Sequence, residues 1–327
     1  MQRCSRRFLP GLTLGLLSAM FVALPQIAAA SPDRVVLLSW DGVRRDYLYQ
    51  MINWQPASEA PVECPHYRHD VVMPTMCNGH WTCMPNLCQF QMIDSSWVEG
   101  SSLTSPQHAQ MLSGYGPIET GAIFNATASS LPAGMSIYEH IRAVRPEIAT
   151  VHIADKKFVG NKIVGKAKRN DALDVSMGRG GYDNFTGSTT AKRFVEQMAK
   201  VADRPFFIFT HFKTVDWIGH RASDQNVSYK EAIIQNDIQL GTVLGALDEL
   251  GLSDVDVYIT TDHGFGGIFH NNPEKESIRD TWFASRHPVL TGDPATILDV
   301  VPTIMATFGI SPALAVPPYR GHSLLVP

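Results

Sequence analysis

Asp41, Asp216, Asp262 and His263 fall just past short apolar runs: Asp41 after "RVVLLSW", Asp216 four residues beyond "PFFIFTHF", and the Asp262–His263 pair after "DVYITT". Runs of this length, rich in β-branched and aromatic residues, read as buried strands. In open α/β sheets the ligand crevice lies beyond the carboxyl ends of the strands, so the three carboxylates are expected to converge there. Crowded together, each raises the pKa of the others unless cations neutralise them. Bound metal is the economical resolution. "DWIGH" sets His220 four residues from Asp216, on one face of a helical turn, and His270 follows glycines in "GGIFHNN" that let the chain turn back. Asp262 and His263, as chain neighbours, are expected to point apart and to serve different shells or different ions. Mixed imidazole and carboxylate donors suit zinc, with manganese or iron as alternatives; pure oxygen ligation would suit magnesium or calcium.

A second candidate lies in "SSLTSPQHAQMLSGY", residues 101–115. Thr104 has two readings. It could cap a helix whose first turn holds Ser105 and Pro106, or it could be a nucleophile. A free threonine hydroxyl attacks poorly, and no GxSxG elbow surrounds this one. Coordination to a metal would make it an alkoxide at neutral pH, and a helix N-terminus adds a field that favours negative charge.

The elements that must position these residues alternate. Strand-like segments at 34–40, 149–154, 205–212 and 256–261 are separated by helical patterns. The clearest of these is 229–250, and another, 295–310, carries Pro302 as a kink or start. Such alternation predicts an α/β domain with a mostly parallel central sheet. Residues 52–90 break the rhythm with Pro, Cys, His and Met, and read as an insert that either walls the site or only stabilises the domain. Cys64, Cys77, Cys83 and Cys88 lie in it; in an exported protein they imply two disulfides with three possible pairings. The rival is a metal knuckle shared with His66, His69 and His80, although the spacings lack the CxxC pairs of common zinc modules.

Residues 1–30 read as an export signal, with Arg3, Arg6 and Arg7, the apolar core "LTLGLLSAMFVALP", and small residues in "AAAS" for cleavage. "SRRFL" is one residue short of twin-arginine spacing, so either export route is open, and an uncleaved anchor is the remaining alternative. No later apolar run reaches 18 residues, so residues 31–327 are expected to form one periplasmic or secreted catalytic domain without a stable membrane anchor. A formal net charge of −4 with interspersed acids and bases argues against a nucleic-acid surface. The oligomeric state is not legible.

Taken in order, "LLSWDGVRRDYL", "LTSPQHAQMLSGYGP", "FNA", "TVDWIGHRAS", "TTDHGF" with "FHNN", and "PYRGHSLL" resemble the alkaline phosphatase superfamily, most closely its type I phosphodiesterase/nucleotide pyrophosphatase family. The resemblance spans nearly all of 34–326 apart from the cysteine insert. It implies a three-layer sandwich around a central, mostly parallel sheet, and two divalent metal ions. Asp41, Thr104, Asp262 and His263 would hold one ion; Asp216, His220 and His270 would hold the other. Asn125 would contact a phosphoryl oxygen. In the nucleotide pyrophosphatase branch the last histidine ligand lies far downstream, which keeps His287 and His322 open as alternatives to His270. A threonine cannot be converted to formylglycine, which speaks against a sulfatase. The implied reaction is hydrolysis of a small-molecule phosphoric ester through a phosphothreonine intermediate. Monoester or phosphonate hydrolysis and phosphoryl transfer to an alcohol are the alternatives, and a non-catalytic metal-binding protein is the rival from another class.

Overall fold

The computed structural model describes residues 33–55, 63–65, 72–125, 130–178, 187–290 and 294–326. Residues 1–30, with the expected export signal, lie outside these, as do His66 and His69. Among the described residues no helix is long and apolar enough to cross a membrane.

The β-branched and aromatic runs form the expected strands: β1 (Arg34–Trp40), β5 (Ala149–Ala154), β7 (Phe206–Phe212) and β8 (Asp256–Thr260). All four are mutually parallel and central, in the order β8-β1-β7-β5. Their residues are buried on both faces, which is why they are continuously apolar rather than alternating. β6 (Val175–Gly178) extends one edge in parallel.

The other edge was not read from the sequence. β4 (Gln91–Trp97) and β9 (Asp280–Ser285) join the same sheet, β9 running antiparallel to both β8 and β4, and β10 (Ala295–Thr296) closes it beside β4. The helix expected over 295–310 is accordingly shorter. The Asp299 carboxylate accepts a hydrogen bond from Thr296 N at 2.6 Å and fixes a tight turn, so the helix begins only at Val300.

Side chains alternate between the two faces of β1, and each face has its own helical cover. Val36, Leu38 and Trp40 pack with α1 (Arg45–Ile52), α4 (Gly187–Met198) and the long α6 (Val227–Glu249). Val35 and Leu37 pack with α2 (Thr104–Met111), α3 (Ile137–Val144) and α7 (Val300–Thr307). Helix, sheet and helix make the three layers, and α5 (Thr214–Ala222) follows β7 at the carboxyl end of the sheet.

The cysteines form two disulfides, Cys64–Cys83 and Cys77–Cys88, so the knuckle reading does not hold. They staple a small hairpin of β2 (Thr75–Cys77) and β3 (His80–Thr82). The insert is anchored to α1 by Cys83 N donating to Met51 O at 2.8 Å, and to α6 by Asp237. The Asp237 carboxylate accepts from Leu87 N at 2.7 Å, Asn86 N at 3.2 Å and Asn86 Nδ2 at 3.0 Å. Burial lifts this carboxyl to about 6 against the opposing pull of those donors. The folded state therefore binds a proton that the unfolded chain has released between about pH 4 and pH 6, and the corresponding stability is lost as the pH rises through that window. In Asp237→Asn this dependence should vanish. The urea midpoint of the wild type should fall relative to the variant from pH 4 to pH 6.5, and a constant difference would exclude Asp237 as the titrating anchor.

Candidate active site

The sheet register delivers the acids to one place. Trp40 pairs with Phe212, and the chain beyond both strands stays joined, with Asp41 N donating to Phe212 O at 3.0 Å and Asp216 N to Asp41 O at 3.1 Å. Gly42, at φ +73°, permits the approach: a Cβ there would stand 2.8 Å from Asp216 Cβ. From β8, Asp262 Oδ1 accepts from Gly42 N and from His263 N, both at 3.0 Å. Gly219 lets α5 lie against Phe265, whose ring a Cβ would meet at 2.8 Å. His220 thereby stays over the site.

Two sets of donors result. Asp262 Oδ2 lies 3.2 Å from His263 Nε2, which lies 3.6 Å from Asp41 Oδ1 and 3.5 Å from Thr104 Oγ1. Asp216 Oδ1 lies 3.4 Å from both His220 Nε2 and His270 Nε2, themselves 3.2 Å apart. The rings of His263 and His270 stack at 3.7 Å, so the sets share a wall. Asp262 and His263 do not point apart as expected. The Oδ1 hydrogen bonds of Asp262 turn its other oxygen towards the imidazole of its neighbour.

These atoms fit cations. Asp41 Oδ1, Asp216 Oδ1 and Asp262 Oδ2 are buried and accept no properly formed hydrogen bond, whereas the second oxygen of each is satisfied. Buried polar atoms left this way are rare and costly. The imidazoles match: Nδ1 of His263, His220 and His270 sits 2.9, 2.9 and 2.8 Å from the carbonyl oxygens of Gly264, Ile268 and Ser102. Donation from Nδ1–H leaves the Nε2 lone pairs aimed into the cage, the tautomer a metal ligand needs.

Thr104 is not a cap. Leu103 occupies the cap position, and Thr104 is the first residue of α2. Its hydroxyl faces the cage instead, at a helix end where negative charge is favoured. Asn125 Oδ1 accepts from Ser105 N at 2.8 Å, satisfying a free amide of the helix start and holding the Asn125 amide beside Thr104. His287 contacts Asp256 at the opposite end of β8, and His322 contacts Asp299, so neither is grouped with the donors that include His270. Arg44 is committed to Asp46 and Asp224, and Arg221 lies 3.9 Å over the Trp217 ring.

Three residues of the site were not read from the sequence. Lys156, two residues past β5, places its ammonium 2.7 Å from Asp41 Oδ2, 2.6 Å from Asp216 Oδ2 and 3.2 Å from Thr104 Oγ1. His211, in β7, is 2.8 Å from Asp41 Oδ2 through Nε2. His108, one turn after Thr104, binds Thr104 O through Nδ1 and Ser39 Oγ through Nε2, both at 2.8 Å, and lies 3.3 Å from Asp262 Oδ2. Lys156 stands beyond a strand end as the acids do, and His108 repeats the four-residue step of Asp216 and His220; both signals were available.

Electrostatics divide the acids. Burial, with repulsion from Asp216 and Asp262, pushes Asp41 up to about 7. Burial opposes charge on Asp216 too, but the Lys156 ammonium holds it well below the usual carboxylate range. Asp262 is likewise held low against burial by His263 and His108. Burial, with the neighbouring His263, lowers His270 to about 3, which keeps its Nε2 unprotonated.

Residues 172–301 match the family model described as Type I phosphodiesterase / nucleotide pyrophosphatase. No curated protein matches the chain in sequence. Among solved structures, the candidate sulfatase yidJ of Bacteroides fragilis superimposes with a TM-score of 0.62 at 15% identity, covering 88% of this chain and 76% of that one. A 2-O GAG sulfatase gives 0.57 at 15%, covering 89% and 75%. The lipoteichoic acid synthase LtaP of Listeria monocytogenes gives 0.54 at 13%, covering 86% and 73%. At such identities the likeness to these structures is one of fold. The chain has the alkaline phosphatase superfamily fold. Over residues 172–301 the sequence is similar to the type I phosphodiesterase/nucleotide pyrophosphatase family.

Burial keeps His211 neutral, so its Nε2–H is a donor that orients Asp41 from outside the cage. Loss of such a partner typically weakens metal binding about 10- to 100-fold. His211→Ala should lower zinc affinity by that order in competition with a chelating dye; unchanged affinity would remove His211 from the site.

Proposed function

We propose that this protein is an exported, metal-dependent phosphoric-ester hydrolase of the phosphodiesterase type, acting through Thr104 and a phosphothreonine intermediate. The observation that carries this reading is the set of three buried carboxylate oxygens without hydrogen bonds, grouped with three imidazole Nε2 atoms, one of which, that of His263, lies 3.5 Å from the Thr104 hydroxyl.

Asp41, Asp262, His263 and Thr104 would hold one divalent cation, and Asp216, His220 and His270 a second, with zinc the best match to these donors and manganese or iron the alternatives. Bound there, the ions supply Lewis-acid charge to the phosphoryl group and to the attacking and leaving oxygens.

The chain's own residues then have distinct tasks. Thr104 Oγ attacks phosphorus in line: the Oγ–P bond forms, the bond to the leaving oxygen breaks, and the proton given up by the threonine hydroxyl passes through solvent to the departing alcohol. The α2 N-terminus favours the charge that Thr104 carries. Asn125, fixed through Ser105 N, binds a non-bridging phosphoryl oxygen where charge develops. Water next attacks from the vacated side, the P–Oγ bond breaks, and Thr104 recovers its hydroxyl.

Residues 1–30 would direct export and residues 31–327 form the catalytic domain, in the periplasm or outside the cell. The two disulfides support an oxidising compartment. A second reading, hydrolysis of phosphomonoesters by the same residues, is favoured by Lys156, whose ammonium beside Thr104 could meet the extra charge of a dianion.

With zinc-loaded protein, hydrolysis of bis(4-nitrophenyl) phosphate should exceed that of 4-nitrophenyl phosphate, and excess monoester turnover would select the second reading. Thr104→Ala should abolish both activities while retaining metal, and Asn125→Ala should lower turnover about 10²-fold, as for loss of one oxyanion donor. Substantial turnover by Thr104→Ala would remove the nucleophile assignment.

A further inference from the structure

Lys156 binds Asp41 and Asp216 by their Oδ2 atoms, whereas their Oδ1 atoms are the ones left for cations. The lysine and the metals therefore do not contend for the same oxygens. Two carboxylates fix the ammonium, whose side chain is only 18% exposed, and its third contact is the Thr104 hydroxyl oxygen at 3.2 Å. A fixed N–H donor thus stands against the one oxygen that first attacks and later leaves.

We propose that Lys156 is a further catalytic residue, whose ammonium donates a hydrogen bond to Thr104 Oγ as the bond between phosphorus and that oxygen breaks. The inference rests on the phosphothreonine cycle proposed above. In the first step Oγ gives electron density to phosphorus, and a hydrogen bond to the attacking oxygen withdraws some of it. In the second step a water oxygen bonds to phosphorus and the P–Oγ electron pair returns to Oγ. Water supplies the proton that restores the threonine hydroxyl, and Lys156 remains an ammonium throughout. A donor at Oγ helps where charge builds on that atom, so its contribution falls on departure rather than attack. Without Lys156 the covalent intermediate should outlive its formation.

The test compares zinc-loaded wild type with Lys156→Met, Lys156→Gln and Lys156→Arg on bis(4-nitrophenyl) phosphate, by stopped flow and by intact mass after acid quench. Met and Gln variants should release about one nitrophenolate per site in a burst, as expected when a covalent intermediate accumulates. Steady turnover should then be at least ~10²-fold slower than wild type, the order of one lost oxyanion donor. The nitrophenylphosphoryl adduct should map to Thr104, with Arg restoring most of the turnover. Slow turnover with neither burst nor adduct, unchanged turnover, or loss of bound zinc in both neutral variants would overturn the proposal, the last by making Lys156 a structural counter-ion. Wild-type protein that releases no nitrophenolate would instead contradict the hydrolase reading and remove the cycle on which this role depends.

Discussion

Asp41, Asp216 and Asp262 are delivered to one buried place by the parallel register of β1, β7 and β8, and three carboxylates cannot all stay ionised there without compensation. Much of the surrounding structure can be understood as a response to that repulsion. Lys156 ties two of the acids, His211 and His108 brace Asp41 and Asp262, and one oxygen of each acid accepts no properly formed hydrogen bond. One fixed ammonium against three carboxylates leaves negative charge over, which is the physical demand that divalent cations would meet. Asp41 is pushed up to about 7 chiefly by burial, with repulsion from Asp216 and Asp262 adding to it.

Thr104 belongs to the same balance. Its hydroxyl lies within reach of Lys156 and His263, at the start of a helix whose first free amide is occupied by Asn125. The Lys156 ammonium lies 3.2 Å from that hydroxyl, and the helix N-terminus favours negative charge at the same point. Thr104, the three acids and the Asn125 side chain thus share one electrostatic setting, although they come from widely separated parts of the chain.

The central strands and their acids were legible because burial on both faces demands continuous apolar runs, and the turns that carry the acids follow where those runs end. The antiparallel edge was not. β4 and β9 are as long as the central strands but mixed in polarity and far apart in the chain, so neither periodicity nor composition marks them. The four-residue step from Asp216 to His220 was readable as one helical face, whereas the convergence of Asp262 and His263 was not, because it depends on hydrogen bonds from Gly42 and from the His263 backbone. Lys156 escaped because lysine after a strand is ordinarily a solvated charge; only the fold shows that this one enters the cage. The disulfide pairing was open to three connectivities until the insert was seen folded against α1 and α6.

The central claim is that the orphaned carboxylate and imidazole atoms form two cation sites beside Thr104. Anomalous diffraction at the zinc edge, from crystals of the protein grown with zinc, tests it most directly. The account predicts two peaks at coordination distance, about 2.0–2.2 Å for nitrogen and oxygen ligands. One should be bound by Asp41, Asp262, His263 and Thr104, and the other by Asp216, His220 and His270. Zinc bound elsewhere with the cage empty, or a single ion leaving either set of donors unused, would contradict it.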